Sequence, residues 1–122
     1  MHPEIPKSAG TAHGLVITTV ASESEADALA RQIVAAGLGA CVQLEPVRSV
    51  YRWQGQVCVE SEWRLQIKTP QSRYAELEAF ILERHSYQLP EIVMLPIAAG
   101  LAGYLAWVDA GTTPDDGKVP GE

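Results

Sequence analysis

The densest run of reactive side chains is His85, Ser86, Tyr87, Gln88, Leu89, Pro90 and Glu91. An imidazole, a phenol and a carboxylate share this stretch, and the Leu-Pro pair breaks regular structure beside them. Such a segment can line a pocket. His85 with Glu62 or Glu91 has the group types of an acid–base pair. A plainer role competes on equal terms, because a helix C-terminus favours a protonated histidine through the helix dipole. No glycine-rich phosphate loop, Gly-x-Ser-x-Gly elbow or isolated carboxylate pair accompanies these residues, so the expectation is of a protein that is not an enzyme.

Sulfur offers a second kind of chemistry. Cys41 sits between Ala40 and Val42, where a small buried hydrophobe is the ordinary reading. Its chemical alternative is a thiolate ligand for copper(I), with His85 as the other metal candidate. Cys58, Glu60 and Glu62 alternate along one strand face and could offer a sulfur and two oxygens. A solvated or intersubunit polar face would use the same residues. No two histidines have the close spacing of a transition-metal pair. No cofactor is required, and copper or another divalent cation is the candidate ligand.

These groups must be held by strands and helices. Leu15–Val20 is a β-branched run suited to a central strand. Ser22 and Glu25 have capping-box spacing, Ala26, Leu29, Ala30, Ile33 and Val34 repeat at helical spacing, and Gly37 suits the residue past the helix end. A second strand starts near Ala40–Leu44, where Pro46 marks an edge, bend or bulge. It resumes through Val50–Trp53, and Gln54-Gly55 predicts a tight hairpin turn. Trp53 then faces Gln56, Tyr51 faces Cys58, and Cys41 falls near Lys68, too far from Cys58 for a disulfide. A slight shift of register is expected at Pro46.

The returning strand puts Val57, Val59, Trp63, Leu65 and Ile67 on one face, and Cys58, Glu60, Glu62, Arg64, Gln66 and Lys68 on the other. Residues 57–68 would span about 40 Å at ~3.3 Å each. A 100-residue domain is only roughly 35 Å across. Such a strand either bends or projects to pair with another copy of the chain, and projection is favoured. Tyr74, Leu77, Phe80 and Ile81 stripe a second helix ending near His85-Ser86, Glu91–Ile97 is a fourth strand, and Gly100–Ala110 predicts a short C-terminal helix. The fold class is therefore α+β: a ferredoxin-like βαββαβ antiparallel sheet with two helices on one face, an extra C-terminal helix and a long intersubunit hairpin.

At 122 residues, 47% hydrophobic and 20% charged, the chain predicts one ordinary domain. The folded unit is read as 14–111, with segments 1–13 and 112–122 as loose tails. A net charge of −6 without a Lys/Arg run argues against a nucleic-acid partner. No apolar stretch approaches the ~20 residues that span a bilayer. The first thirteen residues have neither a basic end nor a hydrophobic block. No membrane association and a cytoplasmic location are expected, and two cysteines suit a reduced compartment.

Taken together, several segments resemble one known family. Residues 30–42, Ser49-x-Tyr51-x-Trp53-x-Gly55, Glu62, Lys68-Thr69, His85-x-Tyr87-x-x-Pro90-Glu91, Pro96 and Tyr104-Leu105-x-Trp107 resemble, in order and spacing, the CutA divalent-cation tolerance proteins. That resemblance implies a tight homotrimer with hairpins running between subunits, a role in tolerance of divalent metals, and copper binding. The plan is similar to the PII signalling trimers, which implies as an alternative a small, anionic metabolite bound between subunits. The site residues it implies are Tyr51, Trp53, Glu62, Lys68, His85, Tyr87, Glu91, Tyr104 and Trp107. Ser86 stands where many relatives have proline, and Gln88 where Glu or Asp is frequent, which weakens a metal role for this loop.

Overall fold

The computed structural model describes residues 10–113. Strand β1 (His13–Val20) leads through helix α1 (Glu23–Ala35) to a hairpin of β2 (Cys41–Trp53) and β3 (Gln56–Pro70). One 3-10 turn (Gln71–Arg73) opens helix α2 (Tyr74–Arg84), and β4 (Ile92–Pro96) and helix α3 (Ala102–Gly111) follow. The four strands form one sheet in the order β2-β3-β1-β4, antiparallel throughout. This is the ferredoxin-like order, with β1 and β3 in the middle. The Ile92–Leu95 run, whose apolar character suits a central strand, instead lies in β4 at the edge, paired with β1 alone. The expected tails 1–13 and 112–122 lie largely outside the described residues. Within the described residues, His13 already belongs to β1 and Thr112 is buried.

Local chemistry accounts for the first helix. The Ser22 hydroxyl accepts from the Glu25 N–H at 3.2 Å, and the Glu25 carboxylate accepts from the Ala21 N–H at 3.3 Å. Gly37 follows the helix end at φ +70°, a conformation that favours glycine. Ala26, Leu29, Ala30 and Ile33 are buried against Val16, Val20, Leu65 and Ile67 of the sheet and Leu77 and Ile81 of α2. Val34, expected on the same stripe, is instead 46% exposed.

The hairpin turn is Gln54-Gly55, at φ 50° and 78°. Positive φ at both central residues is the tight-turn geometry that matches strand twist. Register runs without a skipped residue from Trp53 opposite Gln56 to Cys41 opposite Lys68. The slip expected at Pro46 is absent. Pro46 lies opposite Trp63 on the outer strand, where one side of the backbone has no ladder to serve.

β1 pairs with β3 only from Trp63 to Pro70. The seven residues 56–62 of β3 are paired by β2 alone. They form a two-stranded ribbon reaching about 23 Å past the sheet, at ~3.3 Å per residue. The strand is long because its first seven residues run beyond the strand that pairs with its other edge.

Helices α1 and α2 cover one face. The other face carries Leu15, Ile17 and the even-numbered residues of β3, and α3 covers one end of it. There the Asp109 carboxylate meets His13 Nε2 at 2.8 Å, and Lys68 Nζ lies 5.8 Å from the centre of the Tyr104 ring. Helix α3 begins at Ala102, later than the expected Gly100, and of its expected stripe only Val108 is buried.

Candidate functional site

The loop joining α2 to β4 is pinned by His85. Its Nδ1 accepts from the Tyr87 N–H at 3.1 Å, so the proton of the neutral ring sits on Nε2, which donates to the Thr19 carbonyl at 2.8 Å. Both ring nitrogens are therefore committed to main chain. Tyr87 packs on the imidazole at a centroid distance of 4.9 Å and donates its hydroxyl to Glu62 Oε2 at 2.9 Å. Glu62, on the ribbon next to the sheet, is 8% exposed. Its second oxygen has no hydrogen-bond partner among the described residues.

Around this pair opens a cleft of about 980 Å³ between the ribbon and the loop. Tyr51, Trp53, Cys58, Glu60 and Glu62 line it from the hairpin, Tyr87, Pro90 and Glu91 from the loop, and Thr19 from β1. Among the described residues the lining holds three carboxylates and no lysine, arginine or histidine. Both phenols are displaced upward. Burial, followed by the Glu62 hydrogen bond, holds Tyr87 protonated well above its ordinary range. The Glu60 carboxylate, acting first through the hydroxyl, pushes Tyr51 in the same direction.

Of the residues expected at the site, Tyr51, Trp53, Glu62, Tyr87 and Glu91 are brought together here, with His85 behind the wall as a positioning group. Lys68, Tyr104 and Trp107 are not. They form a second cluster at the opposite end of the sheet, six residues along β3 from Glu62, or about 20 Å. In that cluster Lys68 Nζ donates to Gln43 Oε1 at 2.7 Å, and the Tyr104 and Trp107 rings stack at 5.6 Å. Cys41 faces Lys68 at that same end, so it does not share a site with His85, which is anchored to Thr19. Among the described residues no three His, Cys, Asp or Glu side chains are grouped as a metal site. Thr19 was missed as a lining residue. Strand alternation from Leu15 puts it on the right face, but only the fold puts it beside the loop.

An antiparallel α+β sheet with an overlong edge hairpin, and an acidic aromatic cleft at the hairpin's base, defines a ferredoxin-like protein built around a projecting ribbon. Residues 14–111 match the CutA1 divalent ion tolerance protein family, and the chain belongs to that family. It is 40% identical to the divalent-cation tolerance protein CutA of Thermus thermophilus over 99 residues, covering 80% of this chain and 96% of that one. The structure of CutA from Synechococcus elongatus is similar at a TM-score of 0.82 and 37% identity, over 85% of this chain and 94% of that chain. The periplasmic divalent cation tolerance protein CutA from Archaeoglobus fulgidus is similar at a TM-score of 0.81 and 31% identity, over 83% and 99%.

Proposed function

We propose that this chain serves divalent-cation tolerance as a homotrimer in which the hairpin of each copy packs on a neighbour and the cleft behind it holds the ligand. The observation that carries the assembly is the ribbon. Val50, Val57 and Val59 are 65%, 69% and 52% exposed on one of its faces. A lone two-stranded ribbon is marginal in water, and a contiguous apolar face needs a cover. The relatives named as divalent-cation tolerance proteins support the cellular role.

For a cation, the cleft offers the Glu60, Glu62 and Glu91 carboxylates, oxygen donors suited to hard divalent ions, with Cys58 as a softer neighbour, but among the described residues of one copy no three of them are grouped to hold one ion. A complete metal site would take a further donor from a neighbouring copy. Cys41 and His85 do not form this site. A second reading, a trimer that senses a small molecule, is favoured by the cleft's size, which lies within the range of small-molecule sites. An acid–base role for His85 has no support from a ring whose two nitrogens are both bonded to main chain.

Light scattering should give a mass three times the 13.2 kDa chain. Val59→Asp, a change at an exposed position of the single chain, should lower that mass. A monomer at micromolar concentration would overturn the assembly. Calorimetric titration of copper(II) should weaken in Glu62→Gln and stay unchanged in Cys41→Ser. Identical isotherms in wild type and Glu62→Gln would remove the cleft as a metal site.

A further inference from the structure

The cleft is shaped and charged for a particular class of molecule. Its volume of about 980 Å³ far exceeds a bare ion, and its walls include the rings of Trp53, Tyr51 and Tyr87. Among the described residues each charged side chain in the lining is a carboxylate, which repels an anionic metabolite. The one cation expected to meet an anion, Lys68, is engaged by Gln43 and Tyr104 at the far end of the sheet. Aromatic faces carry negative charge density and attract ammonium groups.

Glu62 adds an independent sign. It lines the cleft, is more than nine-tenths buried, and is bonded through one oxygen only. The open oxygen is reachable from the cleft and is not among the buried atoms left without a partner, so a donor or a cation entering the cleft can meet it. Tyr51 is displaced upward first by its hydrogen bond to the Glu60 carboxylate, which accords with this charge.

We propose that the cleft binds an organic cation, a quaternary ammonium or protonated amine, with its charge met by Glu62, Glu60 and Glu91 and its carbon surface by Trp53, Tyr51 and Tyr87. The proposal rests on the reading of this cleft as the ligand site, and it replaces the expectation of an anion there. The lining residues named here belong to one chain, and the closing experiment reads ligand class without reference to mass.

The full-length protein is titrated with choline, spermidine, citrate and copper(II) at fixed, moderate ionic strength, using calorimetry and tryptophan fluorescence. The expected result is saturable binding of choline or spermidine, weakened tenfold or more in Trp53→Ala and in Glu62→Gln, with no citrate binding. Trp53 is 43% exposed, so its replacement keeps the test informative if Glu62→Gln folds poorly. Citrate binding that Trp53→Ala abolishes would keep the cleft as a ligand site and overturn the cation class. Copper binding alone, or spermidine binding indifferent to Trp53→Ala, would also overturn the proposal. Silence from all four probes would count against the cleft itself.

Discussion

Tyr87 reaches 25 positions back along the chain to donate to Glu62, and this one bond ties the loop to the ribbon. A hydrogen bond to a charged, mostly buried acceptor contributes about 1.5–3 kcal/mol. Tyr87→Phe should lower stability by about that much in urea denaturation, because it leaves a buried carboxylate without its donor. An unchanged midpoint would mean that water replaces the phenol at no cost. His85 acts on Glu62 only through Tyr87. It fixes where the tyrosine main chain sits, and its two bonds leave no free nitrogen for chemistry.

At the level of elements, the connection from α1 to β2 is the tightest fit. A Cβ at Gly39 would stand 2.6 Å from Ile67 Cγ2 and 2.9 Å from Ile33 Cγ2, both on side chains with no exposure. Those methyls cannot retreat without moving the core, so Gly39→Ala should cost about 1–3 kcal/mol in chemical denaturation. A loss under about 0.5 kcal/mol, the scale of ordinary surface changes, would show that the α1 end can shift. The hairpin follows a different logic. Its continuous register and left-handed turn stiffen it locally, yet its outer part has no core of its own.

For the whole molecule, the tyrosines set the alkaline limit. Tyr74 donates to Glu78 at 2.6 Å, and that bond, with burial behind it, pushes its pKa from the ordinary 10.0 up to about 12. Unfolded chains lose this proton first. The Tyr74 contribution is therefore fully present below pH 10 and is lost as pH rises through about 12. Tyr87 is displaced in the same direction and extends the decline. Denaturation midpoints measured across that window should fall, and Tyr74→Phe should make the fall shallower. A flat profile in the wild type would show that neither phenol is held as described.

Much of this architecture was legible in local pattern. Alternation and helical spacing ordered the strands and helices, Ser22 and Glu25 marked a helix start, and Gln54-Gly55 set the pairing down to Cys41 and Lys68. Each of these depends on residues a few positions apart, or on a ladder propagated from one turn. The expected slip at Pro46 failed because an outer strand tolerates a missing N–H. The site was legible as a set of residue types and not as a place. Glu62 and Lys68 share one strand face, and nothing in their spacing says that Tyr87 meets the first while Tyr104 meets the second. Nor could spacing reveal that His85 spends both nitrogens on main chain, or that the three carboxylates share a cleft with no basic side chain among the described residues. The bonds of Tyr87 to Glu62 and of His85 to Thr19 join residues 25 and 66 positions apart, and they exist only once the loop after α2 has been laid against the sheet, as the Tyr104 contact exists only once the last helix has been.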